Sequence, residues 1–253
     1  MPAARSCELC EAPVSLWAPG ADGVPDAYRC TLCGLVQLRL TSAEAERWQG
    51  YYRRGGAYHR ERVLAGFGSF RERFLHDLRL ARIRMENLVR FVKAGRLLDV
   101  GASNGALVQM ARRYGFEAYG IEPDGWVVAQ ARVASGLVLL PLTFAEAAPF
   151  AGGDSFDAVL FVDSFEHLLS PHETLDQVEC LLRSGGVLSI EMPDADCWEF
   201  GQQGVRWRHF KPREHAYLYG RRHVERLFER HGFELLDTIV PYPERRVYYA
   251  RVK

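Results

Sequence analysis

The feature that most limits what this chain can fold into is the run Arg96-Leu-Leu-Asp-Val-Gly-Ala-Ser-Asn-Gly105. Residues 97–100 read as a strand buried on both faces, which belongs inside a parallel sheet. Gly101 ends it and Gly105 opens the next apolar period, so the chain turns sharply and enters a helix. Alternation then continues. Strands are expected at 97–100, 117–121, 137–140, 156–162, 186–191, 233–240 and 246–252. Helices are expected at 105–113, 125–134, 171–182 and 221–230. Such alternation predicts a doubly wound, Rossmann-like α/β sheet of seven strands. The last two strands are joined only by Pro241-Tyr-Pro-Glu244, too short for a crossover helix, so the last strand must be antiparallel.

In sheets of this kind a ligand binds beyond the carboxyl ends of the central strands, where strand order reverses. The loop Gly101-Ala-Ser103-Asn104-Gly105 lies there and lets a ligand approach the backbone. Asp99 is placed to meet an amino group. Glu122, about 20 residues after the loop and followed by Pro123, is placed to accept both hydroxyls of a ribose. No G-x-G-x-x-G is present, which argues against a nicotinamide dinucleotide.

Ahead of this region stand two C-x2-C pairs, Cys7/Cys10 and Cys30/Cys33, separated by a Pro- and Gly-rich stretch. Each pair can turn two thiolates toward one ion, so residues 1–40 read as a zinc ribbon. Disulfides or a redox C-x-x-C are the alternatives. A chain with no secretory leader is a poor setting for the first, and duplication around a Pro/Gly loop is unusual for the second. Four thiolates close the coordination shell, so the zinc is expected to be structural. Residues 41–94 read as a helical connector or lid. It contains a long amphipathic helix carrying Phe70, Phe74, Leu78, Ala81, Met85, Leu88 and Val89, and the tyrosines Tyr51, Tyr52 and Tyr58. Residues 95–253 form the ligand-binding domain.

Lys+Arg and Asp+Glu balance at 32 each, so nothing in the charge points to a nucleic-acid partner. No apolar run approaches the roughly 18 residues of a membrane span, and a cytoplasmic setting is expected. Oligomeric state is not legible. Between the fifth strand and the next helix, residues 193–220 form a long insertion rich in aromatics: Trp198, Phe200, Trp207, Phe210, Tyr217 and Tyr219. It carries His209, Glu214 and His215 and lies at the carboxyl end of the sheet, where an acceptor pocket belongs.

The order Leu-Leu-Asp-Val-Gly-x-x-x-Gly followed by Gly120-Ile-Glu-Pro123 resembles motifs I and post-I of class I S-adenosylmethionine-dependent methyltransferases. Phe156-Asp-Ala-Val-Leu-Phe-Val-Asp163-Ser-Phe-Glu-His167-Leu resembles their motif IV, and Leu181-Leu-Arg-Ser-Gly-Gly-Val-Leu their turn into strand five. The resemblance covers roughly Gly95 to Lys253. It implies S-adenosylmethionine as cofactor, with Asp99 at its methionine part, Glu122 on its ribose, and Gly101, Ser103, Asn104, Gly105, Pro123, Asp163 and His167 around it. His-Phe-x-Pro-x-Glu-His, at 209–215, is similar to a segment of a broad methyltransferase subfamily. With the cysteine module, it is also similar to zinc-containing sugar C-methyltransferases. That likeness implies His215 as a base acting on the acceptor and Glu214 as its orienting partner or a ligand for an acceptor hydroxyl; His209, on the same insertion, is a further catalytic candidate. Read from the residues alone, His215 is equally a structural histidine that bonds the loop. The family usually has glycine where Ser103 stands, and the sugar enzymes have tyrosine near Pro212 and a further domain beyond the point where this sequence ends. The expected function is therefore methyl transfer to a small-molecule acceptor, a sugar or another biosynthetic intermediate, with O-, C- and N-methylation all open. The alternatives are a methyltransferase-like binding protein, or an enzyme whose ribbon docks a protein or RNA.

Overall fold

The computed structural model describes residues 6–53, 66–151 and 155–253. Tyr58, expected in the connector, lies outside them. In chain order the elements are β1 (Val14–Ala18), β2 (Ala27–Cys30), β3 (Val36–Leu38), α1 (Ser42–Arg53), α2 (Phe70–Leu88), β4 (Gly95–Val100), α3 (Ala106–Arg113), β5 (Phe116–Ile121), α4 (Gly125–Ser135) and α5 (Phe144–Ala151). There follow β6 (Phe156–Val162), α6 (Pro171–Leu181), β7 (Leu182–Pro193), α7 (Trp198–Gln203), β8 (Tyr217–Leu218), α8 (Arg221–Arg230), β9 (Phe233–Tyr242) and β10 (Arg245–Val252).

The large sheet has the order β5-β4-β6-β7-β10-β9. β4, β5, β6 and β7 are parallel, and β10 runs antiparallel to both β7 and β9. Its alternating side chains explain why the sheet is covered on both sides. Leu97, Ala158, Leu160 and Val187 face a core completed by α2, α3 and α4. Leu98, Val159, Phe161, Leu188 and Ile190 face a second core completed by α6 and α8. Strands buried on both faces read as near-continuous apolar runs, which is what residues 97–100 and 156–162 are.

Among the described residues the large sheet has six strands where seven are expected. Residues 137–140 make only one parallel bridge, Ile121 to Leu140, closed by Leu140 N–H to the Gly120 carbonyl and Glu122 N–H to the Leu140 carbonyl, both at 3.0 Å. The next residue is Pro141, which has no N–H to offer a ladder, and α5 begins soon after it. α2 follows the expected stripe: Phe70, Phe74, Ala81, Met85 and Leu88 are buried. Its start is capped by Ser69, whose hydroxyl accepts from the Glu72 amide.

The amino-terminal strands form a second, antiparallel sheet, β1-β2-β3-β8. Its last strand comes from the aromatic insertion: Val36 pairs with Leu218 and Gln37 with Tyr217. Aromatic packing joins the same two segments, Trp17 meeting Phe210 edge-on at 4.9 Å and Phe200 at 5.8 Å. Such pairs add about 0.5–1.5 kcal/mol each beyond area burial. Cys7, Leu9, Cys30 and Leu35 belong to the same core as α6 and α8. The cysteine-bearing sheet is thus packed onto one face of the large sheet.

Candidate active site

A cavity of about 990 Å³ opens beyond the carboxyl ends of β4, β5, β6 and β7. That is at the top of the roughly 300–1,000 Å³ usual for ligand sites, enough for two small molecules side by side. Its floor is the loop after β4. Gly101, Ser103 and Gly105 all have left-handed backbone, with φ of 78°, 47° and 78°. A side chain at Gly101 would put its Cβ 2.8 Å from the Cβ of Ser164. Ser103 keeps its side chain in the left-handed region at a cost of about 1–2 kcal/mol. Its amide donates to Glu122 Oε2 at 3.0 Å, which holds the turn in place.

Two acids border this loop. Glu122 is 3 % exposed, with Oε1 accepting from the Asp124 amide at 3.0 Å. Its two oxygens thus accept from backbone amides on either side of the strand end. Asp99 is 2 % exposed and its Oδ1 has no hydrogen-bond partner. Burial pushes its carboxyl up to about 7, against the opposing pull of the Arg84 guanidinium, and the charge of Glu122 adds to the rise. An orphaned acid at the wall of a cavity is a socket for a cationic or hydrogen-bond-donating group. The pair fits the amino-acid and ribose ends of a nucleoside-linked amino acid.

Beside them lies a buried charge network that the sequence reading passed over. Arg84, on α2, donates twice to Glu191 at the end of β7, Nε to Oε2 and Nη2 to Oε1, both at 2.7 Å. Burial works against the charge of Arg84, but Glu191 outweighs it and raises its pKa. Arg245, from β10, pairs with Asp163 and lies 3.4 Å from Glu191 Oε1. Asp163 has φ of 51° as the chain leaves β6. One signal for Arg84 was available: it sits three residues after Ala81 and four before Leu88, inside the apolar stripe of its helix.

The same cavity is lined by Glu166, His167, His209 and His215. Ring centroids of His167 and His215 are 4.9 Å apart, with the planes nearly perpendicular. His215 is buried and its Nδ1 lies 2.7 Å from the carbonyl oxygen of His209. A carbonyl only accepts, so Nδ1 carries the proton and Nε2 keeps a lone pair. Burial first, then the nearby His167, hold His215 well below the usual imidazole range. Burial likewise lowers His209 to about 4, with Arg208 adding to the effect. Glu166, which the sequence reading noted only as the neighbour of His167, is 2 % exposed, with no hydrogen-bond partner on either carboxylate oxygen. Burial and then the charge of Asp163 push it up to about 8. Helix α1 braces this group: Trp48 Nε1 donates to the His167 carbonyl at 3.1 Å, and the Tyr52 hydroxyl donates to the Glu214 carbonyl at 3.0 Å.

Of the residues expected at the site, Asp99, Gly101, Ser103, Asn104, Glu122, Pro123, Asp163, His167, His209 and His215 all border the cavity. Two do not. Gly105 is the first-turn cap of α3, and a Cβ there would stand 2.8 Å from Leu137 Cδ1. Glu214 is buried with its carboxylate 3.7 Å from Lys211 Nζ. Its backbone carbonyl lies 2.7 Å from Nδ1 of His167, which lines the cavity. Asn104 borders the cavity, yet its amide is engaged by Asp77 Oδ2 at 2.7 Å and its carbonyl by the Ala106 amide at 3.1 Å, tying the loop to α2.

The four cysteines also converge. Cys7, Cys10, Cys30 and Cys33 bring their sulfurs within 4.8 Å of one another, with Cys7–Cys33 at 3.6 Å and Cys10–Cys30 at 3.5 Å. All four are free thiols. Sulfurs around one ion at about 2.3 Å stand about 3.8 Å apart, so the donor set fits tetrahedral zinc. The amides of Leu32 and Cys33 donate to Cys30 Sγ at 3.4 and 3.3 Å, which fixes that knuckle. No described helix is long and apolar enough to cross a membrane.

Comparison with known proteins bears on the cavity. A tRNA U34 carboxymethyltransferase of Syntrophotalea carbinolica is 36 % identical over 122 residues, 46 % of this chain, and the matched region spans only 36 % of that relative. The solved structure of Burkholderia thailandensis 1,6-didemethyltoxoflavin-N1-methyltransferase, with bound 1,6-didemethyltoxoflavin and S-adenosylhomocysteine, matches with a TM-score of 0.62 at 16 % identity. The match covers 92 % of this chain and 98 % of that one. Magnesium protoporphyrin IX methyltransferase from Synechocystis, with bound SAH, matches with a TM-score of 0.60 at 16 % identity, covering 83 % and 100 %. At such identities the likeness is one of fold. The family profile described as "Methyltransferase domain" matches residues 68–238, more than half of the sequence. Together with the parallel sheet closed by an antiparallel strand, this establishes that the chain belongs to the methyltransferase-domain family, among the class I S-adenosylmethionine-dependent methyltransferases.

Proposed function

We propose that the protein methylates a small-molecule acceptor, with cofactor and acceptor side by side in this large cavity. The observation that carries this reading is one cavity lined both by the glycine loop with Asp99 and Glu122 and by the imidazoles of His167, His209 and His215. On the cofactor side Asp99 meets the amino group, Glu122 takes the ribose hydroxyls, and the left-handed loop at Gly101 and Ser103 lets the backbone close in. When bound, S-adenosylmethionine supplies a methyl group on a sulfonium, an already good leaving group, so alignment of the acceptor carries much of the rate. On the acceptor side His215 presents the Nε2 lone pair to an acceptor proton and stays neutral through the physiological range. Zinc in the four-cysteine cluster holds the ribbon, and with it the strand that follows His215.

Calorimetry tests the cofactor half. The full chain should bind S-adenosylhomocysteine, and Asp99→Ala or Glu122→Ala should weaken that binding by about tenfold or more, the loss of one charge-assisted contact. No binding by the intact protein would refute the reading. His215→Ala should keep cofactor affinity while losing turnover. A macromolecular acceptor is the second reading, favoured by the tRNA-modifying relative. Against it stands the balance of 32 basic and 32 acidic residues, which gives RNA no electrostatic footprint.

A further inference from the structure

Glu166, His167 and His215 form more than a set of separate acceptor contacts. Their ligand atoms all lie within 4.8 Å of one another, at the wall of the cavity. Glu166 has both carboxylate oxygens without a hydrogen-bond partner at 2 % exposure, and the charges of Arg245 and Lys211 act on it without bonding it. A carboxylate in that position is a standing cost of several kcal/mol unless a proton or a cation sits on it. The two imidazoles are oriented alike. His215 Nδ1 is 2.7 Å from the His209 carbonyl; His167 Nδ1 is 2.7 Å from the Glu214 carbonyl and 2.6 Å from the Tyr52 hydroxyl, which itself donates to that carbonyl, so each ring carries its proton on Nδ1 and turns Nε2 toward the group. His167 Nε2 is 4.0 Å from Glu166 Oε1. Imidazoles fixed through one nitrogen by a backbone carbonyl are what metal-binding histidines require.

We propose that Glu166, His167 and His215 bind one divalent first-row transition-metal ion on the acceptor side of the cavity. Two nitrogens and one carboxylate favour iron, cobalt, nickel or zinc over magnesium or calcium, which take shells of oxygen. Donors around one such ion stand about 3–4 Å apart, so the three side chains close inward by less than about 1 Å on binding. Three protein ligands leave positions open, unlike the cysteine cluster, whose four sulfurs complete a shell. An ion bound here occupies His215 Nε2, so the metal-loaded site does not use that lone pair as a base; its open positions face the cavity and suit an acceptor that carries an oxygen able to ligate a cation. This last point rests on the methyltransferase reading of the cavity; the metal site itself does not.

The test uses the full chain with zinc loaded on the cysteines, equilibrated with cobalt(II) and followed by metal analysis and visible absorption. The wild type should retain about one cobalt per chain with weak d–d bands and no thiolate charge-transfer absorption. Glu166→Gln and His215→Ala should each weaken cobalt binding by about 10–100-fold while binding S-adenosylhomocysteine as the wild type does, which shows that they are folded. Cobalt retained equally by both variants, cobalt with thiolate charge-transfer bands, or no cobalt on the wild type would each overturn the site. A wild type that holds cobalt but not S-adenosylhomocysteine would overturn the methyltransferase reading and leave the metal site standing.

Discussion

Replacing Asp99 by asparagine should make the ligand-free protein more stable and the cofactor bind less well. The magnitude follows from burial. The acid ionises at about 7 in the fold against 3.8 when free, and each tenfold change in a proton equilibrium is worth about 1.4 kcal/mol. At pH 8 the folded state therefore carries a cost of about 4 kcal/mol for keeping this carboxylate charged. The direction in pH is fixed by the raised value. Between about 4 and 7 the folded chain holds a proton that the unfolded chain has released, so this group makes stability fall as pH rises. Below about 4 both states are protonated and the cost vanishes. Asparagine removes the charge but leaves its own amide atoms poorly paired, about 1–3 kcal/mol. The net gain expected from Asp99→Asn is about 1–3 kcal/mol at pH 8, shrinking toward pH 4. Urea unfolding of the ligand-free protein at pH 5 and 8, with calorimetry for S-adenosylhomocysteine, measures both sides. A variant that loses more than about 1 kcal/mol at pH 8 would mean that Asp99 is a satisfied structural acid, and the reasoning would fail.

Gly101→Ala should cost about 2–3 kcal/mol by urea unfolding, from a left-handed φ of 78° and a Cβ 2.8 Å from that of Ser164. Ser164 cannot readily swing aside, because its hydroxyl donates to the Val100 carbonyl at 2.6 Å. Arg84→Ala strands Glu191, which is 3 % exposed, and should destabilise by about 3 kcal/mol, the low end for a broken buried pair because Arg245 remains within 3.4 Å. An unchanged denaturation midpoint would show that the pair is dispensable. Metal analysis should find at least one zinc per chain, and chelation should lower the unfolding temperature; less than about one zinc would contradict four-thiolate ligation.

What the sequence revealed and what it hid divide along physical lines. Short-range periodicity announced β4, β6 and the buried face of α2, because alternation and helical spacing are local properties. The glycine turn and the acid at Glu122 were legible for the same reason: a tight turn and a strand end leave marks within a few residues. Residues 137–140 carried a strand-like composition, but Pro141 and the missing ladder reduced them to one bridge. Pairing across long separations left no local mark. Nothing near Val36 announces Leu218 as its partner, and so the ribbon read as a separate module. The site shows the same limit. His215 stood out by residue type, but Glu166 becomes conspicuous only once its carboxylate is seen to be buried and unpartnered. Glu214 shows the reverse: prominent in the sequence, it contributes a carbonyl where its side chain was expected.

The strand β8 has a consequence for control. It begins two residues after His215 and, among the described strands, pairs only with β3, which leads directly from the second cysteine knuckle. The Ala216 amide meanwhile donates to the Glu166 carbonyl at 2.8 Å. The His215 imidazole therefore hangs from a strand paired with the cysteine-bearing sheet, whereas the glycine loop, its acids and Glu166 all follow strands of the large sheet. Oxidising or demetallating the sulfurs would be felt as blindness to the acceptor in a protein that still grips its cofactor, a fault that leaves the enzyme loaded but silent.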